Sequence, residues 1–445
     1  MANDSGTVIS FGLNERPPVA TAAFVGLQHL LAVFGGILTA PLLIALGMDL
    51  SVRDTSYLVT SALVVSGFAT LVQVSRIGPV GSGMLSVQGT SFSFIGPLLY
   101  AWQMQVDIHT PEEILGLIFG ACAVCSVLMM ILSQFVQRLK NIITANVAGV
   151  TVLLLGMTLV WTTIKNLWFE YQSTADQGWQ VPVLAIAVFS LIIVLSRRPN
   201  PWIRMSSIIV GLIAGFIVAL LLGNVDFSPL SELDTVFFPE FWRYELGVDI
   251  SMVFVLLPIF IISATESIGD LTATALLSGL PLGDQPFWKR VQGGVLADSV
   301  NSFVAAVFCT FPNTTFSQNN GVIRVTGVCS RYVGFYVGAF LVIIGMFPIV
   351  AGLFQVLPGS VLYGATLLMF IMVGISGYQI ANSGSPGQRD WILITVSVLS
   401  GLALSASGDS LAFLPQGVVN IIQFPVSSGA FVAMILEVVI PKTKS

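Results

Sequence analysis

Charged side chains are scarce in this sequence. Asp, Glu, Lys and Arg make up only 9% of the chain, against roughly 25% in a soluble domain, so most of its surface cannot face water. Histidine and cysteine are also few, at two and four residues. Cys122 and Cys125 form a CxxC inside an apolar helical pattern, while Cys309 and Cys329 lie in separate segments. Thiols so spread read as small packed hydrophobes and exclude a disulfide framework or redox pair. His, Cys and Gly nowhere take the spacing of a metal centre or a phosphate loop, so no metal, no cofactor and no enzyme activity are expected. There is no basic stripe, which argues against nucleic acid. The first 16 residues lack a basic stretch followed by an apolar core and a small-residue cleavage site; 1–16 is expected to be a cytoplasmic tail and not a signal peptide.

Apolar residues are abundant instead. With 55% hydrophobic residues and a mean hydropathy of +0.92, the chain reads as a polytopic membrane protein. Windows of about 20 residues find apolar segments at 19–42, 56–74, 112–134, 141–163, 181–196, 205–222, 250–268, 291–310, 332–354, 359–381, 391–407 and 426–440. Two more, 84–101 and 318–331, open on the polar runs GSGMLSVQGTSF and SQNNGVIRVTG. Fourteen spans with an inner N-terminus leave only Arg53, Lys165 and Arg243 of the 17 basic residues outside, as the positive-inside rule asks. Gln88 and Gln318 fall in the two interruptions, at an offset near 230 residues. The expected fold is therefore all-α and polytopic: two inverted seven-span repeats, with spans 3 and 10 broken by short extended segments.

The stretch FPNTTFSQNNGVIRVTG, from Phe311 to Gly327, is the first candidate site. Polar, non-helical backbone at membrane depth is tolerated only where it is buried in protein or lines a cavity. Three carboxylates support it. Glu266 and Asp270 are four residues apart and share a helix face, and Asp298 lies in the next span. Embedded carboxylates are costly unless paired or facing water, and proton relay is one common use. For Asp270 and Asp298 a purely structural role is equally open, whereas Glu266 reads as functional because Ser267 and Gly269 leave space beside it. His29, beside Gln28, is expected to orient the site; His109 lies in an outer loop.

The order Gln318-Asn319-x-Gly321-x-x-x-x-Thr326-Gly327 resembles the signature of the nucleobase-ascorbate transporter family. The blocks QHLLAVF at Gln28, GPVGSGMLSVQGTSFSF at Gly78, ESIGDLTATA at Glu266 and GGVLAD at Gly293 resemble its bacterial xanthine and purine branch, over nearly the whole chain from Glu15. The resemblance implies proton-coupled purine uptake by a homodimer in the bacterial inner membrane, with both termini cytoplasmic. It implies a core domain of spans 1–4 and 8–11 (17–134 and 250–354). The gate domain is spans 5–7 and 12–14 (135–249 and 355–445, the last including a C-terminal tail). It also implies that Glu266 and Gln318 hold the base, and that Asp270, Asp298, His29 and Asn319 are required or shape affinity.

The residue types suit that chemistry on their own. Xanthine sets ring N–H donors beside oxo acceptors, so a carboxylate can accept from the N–H groups while a glutamine amide donates to an oxo group. Phe94 is the candidate ring wall and Ser91 the candidate for tuning specificity, with Phe92 read as helix packing. A serine at 91 keeps uric acid, or a broader purine range, open as an alternative. Uracil carriers of the family have an acidic residue where Gln318 stands and a histidine near Asp270, so a uracil permease ranks next. An anion transporter of the same fold ranks last, because the embedded charges here are acidic.

Overall fold

A computed structural model describes residues 9–139, 144–173, 178–233, 235–382, 387–407, 419, 422 and 424–440. Lys140, Lys442, Lys444 and the start and end of the expected tails lie outside the described residues. Regular structure among the described residues is helical apart from two three-residue strands. The first half runs α1 (Val19–Gly47), α2 (Val52–Ser75), β1 (Gln88–Thr90), a 3-10 turn (Phe92–Phe94), α3 (Ile95–Gln103), α4 (Pro111–Ser133), α5 (Val136–Leu139), α6 (Ala145–Ser173), α7 (Gln180–Ser196), α8 (Pro201–Met205) and α9 (Ser207–Leu221). The second runs α10 (Ile250–Leu277), α11 (Gln285–Val307), β2 (Asn313–Thr315), α12 (Gln318–Thr326), α13 (Arg331–Gly345), α14 (Pro348–Gln355), α15 (Gly359–Ala381), α16 (Gln388–Ser405) and α17 (Pro425–Val439).

Side-chain caps set several of these helix starts. Ser51 Oγ accepts from Asp54 N at 3.1 Å before α2, Thr110 and Glu113 form a reciprocal capping box before α4, and Asp284 Oδ1 accepts from Phe287 N at 2.7 Å before α11. Among the described residues six helices are long and apolar enough to cross a membrane: α1, α2, α4, α6, α10 and α15. The expected single span 332–354 is instead two helices, α13 and α14, meeting at 75°. Pro348 explains the break. It has no N–H to continue α13, and it holds Phe347 extended at φ −113°, ψ 98°. α11 has the length of a span, but Lys289, Arg290 and Asp298 lower its apolarity. α7, α9 and α17 are apolar and shorter.

Two sets of helices emerge from the packing. α2 lies along α13 and α1, and α4 along α10 and α11; separately, α6 packs on α15 and α17, α7 on α9 and α15, and α16 on α17. Outward faces of the second set are apolar, with Leu221 80%, Ile186 62% and Leu399 60% exposed, which suits lipid and not water. The loop before α10 crosses the ends of α2 and α11: Tyr57 in α2 donates to Glu240 O at 3.1 Å, Trp242 N donates to Val307 O at 2.9 Å, and Tyr244 donates to Asp54 at 2.7 Å. At the other end, Arg16 and Arg331 stack on the Tyr332 ring, and Arg290 donates to Ser82 O at 3.0 Å.

Candidate functional site

β1 and β2 pair antiparallel in the interior, with Gln88 opposite Thr315, Gly89 opposite Thr314 and Thr90 opposite Asn313. Pairing satisfies backbone groups that would otherwise be buried without partners. Close approach requires Gly89, since a Cβ there would come within 2.6 Å of the Phe316 ring and 2.7 Å of Ile37. Each strand leads into a short helix of nine residues, α3 and α12, so two helix N-termini converge on the strand pair. α12 stops at Gly327, whose left-handed φ of 67° lets its N–H reach Ile323 O at 2.8 Å. That turn accounts for the glycine closing the sequence signature.

α10 lies across both arms. Its Glu266 accepts a 2.7 Å hydrogen bond on Oε1 from Ser93, at the start of the first short helix. One turn on, Asp270 Oδ2 accepts from Thr315 at 3.0 Å, and Asn320 Nδ2 donates to Asp270 O at 3.3 Å. Asn320 is itself held by Thr274 at 2.7 Å. The carboxylates expected to share a face are thus divided between the arms, Glu266 to the first and Asp270 to the second. Oε2 of Glu266 has no hydrogen-bond partner among the described residues and is not sealed from solvent. The Gln318 side chain, half-buried at the start of α12, likewise has no partner among them.

The other expected residues fall around this core. Asp298 in α11 accepts from Ser267 through a short hydrogen bond and from Gln73 Nε2 at 3.5 Å, and Gln73 Oε1 accepts from Ser82 N at 3.3 Å. Asn319 Nδ2 donates to Leu85 O at 2.6 Å, tying α12 to the stretch before β1. His29 is fully buried against Asn319, and neither ring nitrogen has a hydrogen-bond partner at normal distance among the described residues. Ser91 Oγ accepts from Ser93 N at 3.3 Å and caps the 3-10 turn. The Phe94 ring is buried edge-on against Phe260 at 4.7 Å, whereas Phe92 meets Phe370 of α15 at 5.1 Å. Phe92 is therefore the ring on the boundary between the two helix sets. Sequence reasoning missed Thr315 and Gln73 as partners of the carboxylates, and Asn320 as a partner of the Asp270 backbone. A glutamine alone in the apolar run of α2 was the one available signal.

Residues 20–409 match the model of the Permease family. The chain belongs to the nucleobase-ascorbate transporter family. It is a permease and not an enzyme. It is 36% identical to xanthine permease XanP of Escherichia coli K12, over 100% of this chain and 97% of that one. It is 34% identical to XanQ of the same strain, over 99% and 95%. With the uric acid-xanthine permease of Emericella nidulans the identity is 33%, over 97% of this chain and 83% of the fungal one. Among solved structures the permease resembles murine Solute Carrier 26 family member A9, an anion transporter in the inward-facing state, with a TM-score of 0.63, 13% identity and coverage of 96% and 69%. It also resembles the transmembrane domain of the cyanobacterial bicarbonate transporter BicA, with a TM-score of 0.54, 12% identity and coverage of 96% and 100%. At such identities the likeness shows the fold alone.

Proposed function

We propose that this permease takes up an oxidised purine, xanthine in the first instance, together with protons. The observation that carries the reading is the pair of unused groups at the two arms: Oε2 of Glu266 and the amide of Gln318. A carboxylate accepting from ring N–H groups and an amide donating to an oxo group complement xanthine, and complement the amino edge of adenine poorly. The names of the XanP, XanQ and Emericella relatives point the same way. Ser91 and Phe94 shape the site by fixing the turn that carries Ser93. Asp270, His29 and Asn319 support it, and Asp298 or Glu266 carries the coupled proton.

Transport proceeds by alternating access of a core (17–134 and 250–354) against a gate (135–249 and 355–445), in fourteen spans forming two inverted repeats that are broken at β1 and β2. The separate packing of the two helix sets supports this division. The protein works as a homodimer in the bacterial inner membrane, among lipid, with both termini cytoplasmic. Gathering of Arg16, Arg290 and Arg331 at one end supports that orientation. Uric acid is a second substrate to test, on the small Ser91 and the name of the Emericella relative. Among the described residues an anion finds no basic partner beside Glu266, Asp270 and Asp298.

Uptake of labelled xanthine, uric acid, guanine and uracil into cells lacking their own carriers tests the reading. Xanthine should accumulate and should stop accumulating when the proton gradient is collapsed at unchanged sodium. Uptake of uracil without xanthine would refute the substrate, and full accumulation on a sodium gradient alone would refute the coupling.

A further inference from the structure

Asp298 opens onto a cavity of its own. Between α10 and α11, next to β2 and the 3-10 turn, Ser263, Ser267, Asp298, Ser302, Asn313 and Phe94 surround a space with room for about one water molecule. A purine cannot enter a space of that size. Glu266 is not among the lining residues; its carboxylate meets Ser93, while the ring of the adjacent Phe94 forms cavity wall. The Glu266 carboxylate thus does not line this space, although the adjoining Ser267 does.

The polar lining selects the occupant. Asn313 is 3% exposed, and its Nδ2 has no acceptor among the described residues, although its Oδ1 accepts from Ser66 at 3.4 Å and its backbone is held by Ser302 at 3.1 Å. A buried N–H donor needs an acceptor. The Asp298 carboxylate disfavours an anion, and a metal cation held there would leave the Asn313 NH₂ group without an acceptor. Water alone can accept from Asn313 and donate to Asp298 or a serine hydroxyl at once.

We propose that this cavity is a single-water site joining Asn313 to Asp298, and that Asp298 exchanges its proton through it. On protonation a hydronium there becomes water as the carboxylate becomes a carboxyl, and release reverses the step. The exchange step rests on the proton-coupled reading above; the water site does not. The groups facing Asp298 are Ser267 and Asp270 from α10, Gln73 from α2, and Gln88 from β1, so Asp270 is the one charged neighbour among the described residues.

A density map of the full-length protein at about 2 Å decides the site. It should show one water within hydrogen-bonding distance of Asn313 Nδ2 and Asp298; a dry cavity, or an ion held by the serine oxygens, overturns the site. Ser263→Val fills the space without removing a hydrogen bond found among the described residues. In that variant xanthine binding should stay within about twofold and substrate exchange at equal concentrations should persist, while proton-driven accumulation falls at least tenfold. Wild-type accumulation with the water displaced overturns the exchange role. If the valine variant fails to bind, Ser263→Thr, which adds the same space-filling methyl while keeping the hydroxyl, takes its place: binding should be retained and proton-driven accumulation should fall at least tenfold, and wild-type accumulation with the water displaced overturns the exchange role. A wild-type protein that binds no xanthine would refute the purine reading, and the map would still decide the water.

Discussion

β1 and β2 run side by side, yet among the described residues the β1 arm hydrogen-bonds α10 through one hydroxyl, Ser93 on Glu266, while the β2 arm does so through hydroxyls and an amide. In the second arm Thr315 and Asn320 are committed to Asp270 and Asn319 to Leu85, which leaves Gln318 as its free amide. A backbone device present twice thus presents two different groups, a carboxylate at the first arm and an amide at the second, and the proposed recognition of a purine rests on that difference. A flat base with donors on one edge and acceptors on another suits that asymmetry better than a spherical anion does.

The strand pair is common to both arms, so disturbing it should have the largest effect. Gly89→Ala pushes a methyl group into Phe316 and Ile37, and overpacking of this kind costs about 1–3 kcal/mol. Thermal melts of purified protein should show the loss, and xanthine binding should fall with it.

Single hydroxyls then separate the arms. Ser93→Ala removes a hydrogen bond to a carboxylate, about 1.5–3 kcal/mol, and should weaken xanthine binding at least tenfold by releasing Glu266. Thr315→Val acts on Asp270 and should leave affinity within a few-fold while slowing transport. Equal losses of affinity in the two variants, measured by titration calorimetry, would erase the distinction between the arms. Asp270→Asn should follow Thr315→Val, with binding largely kept and turnover or stability impaired. The smallest effect is expected at Gly321 of the second arm, where a Cβ would meet nothing within 4 Å; Gly321→Ala should bind xanthine like wild type.

Much of this was legible in the chain. Apolar windows located the long helices, and the two polar interruptions located both arms, because lipid forbids polar backbone that has no partner. The α13–α14 bend was missed although Pro348 was visible, since windows of hydropathy average across a proline. Repeat alignment by residue type matched Gln88 to Gln318. The strands instead start at Gln88 and Asn313, an offset of 225 residues that matches Gln318 to Ser93. Register depends on backbone pairing, which side-chain identity does not encode. Division of Glu266 and Asp270 between arms was equally hidden, because four-residue spacing fixes a helix face and not the neighbours packed on it.

Calorimetric titration of xanthine into purified, folded wild type, Glu266→Gln and Gln318→Ala tests the central claim most directly. The account predicts that Glu266→Gln loses about 1.5–3 kcal/mol of binding or binds undetectably, and that Gln318→Ala is weakened by about 1 kcal/mol or more. Wild-type affinity in both variants would contradict it, whatever happened to transport.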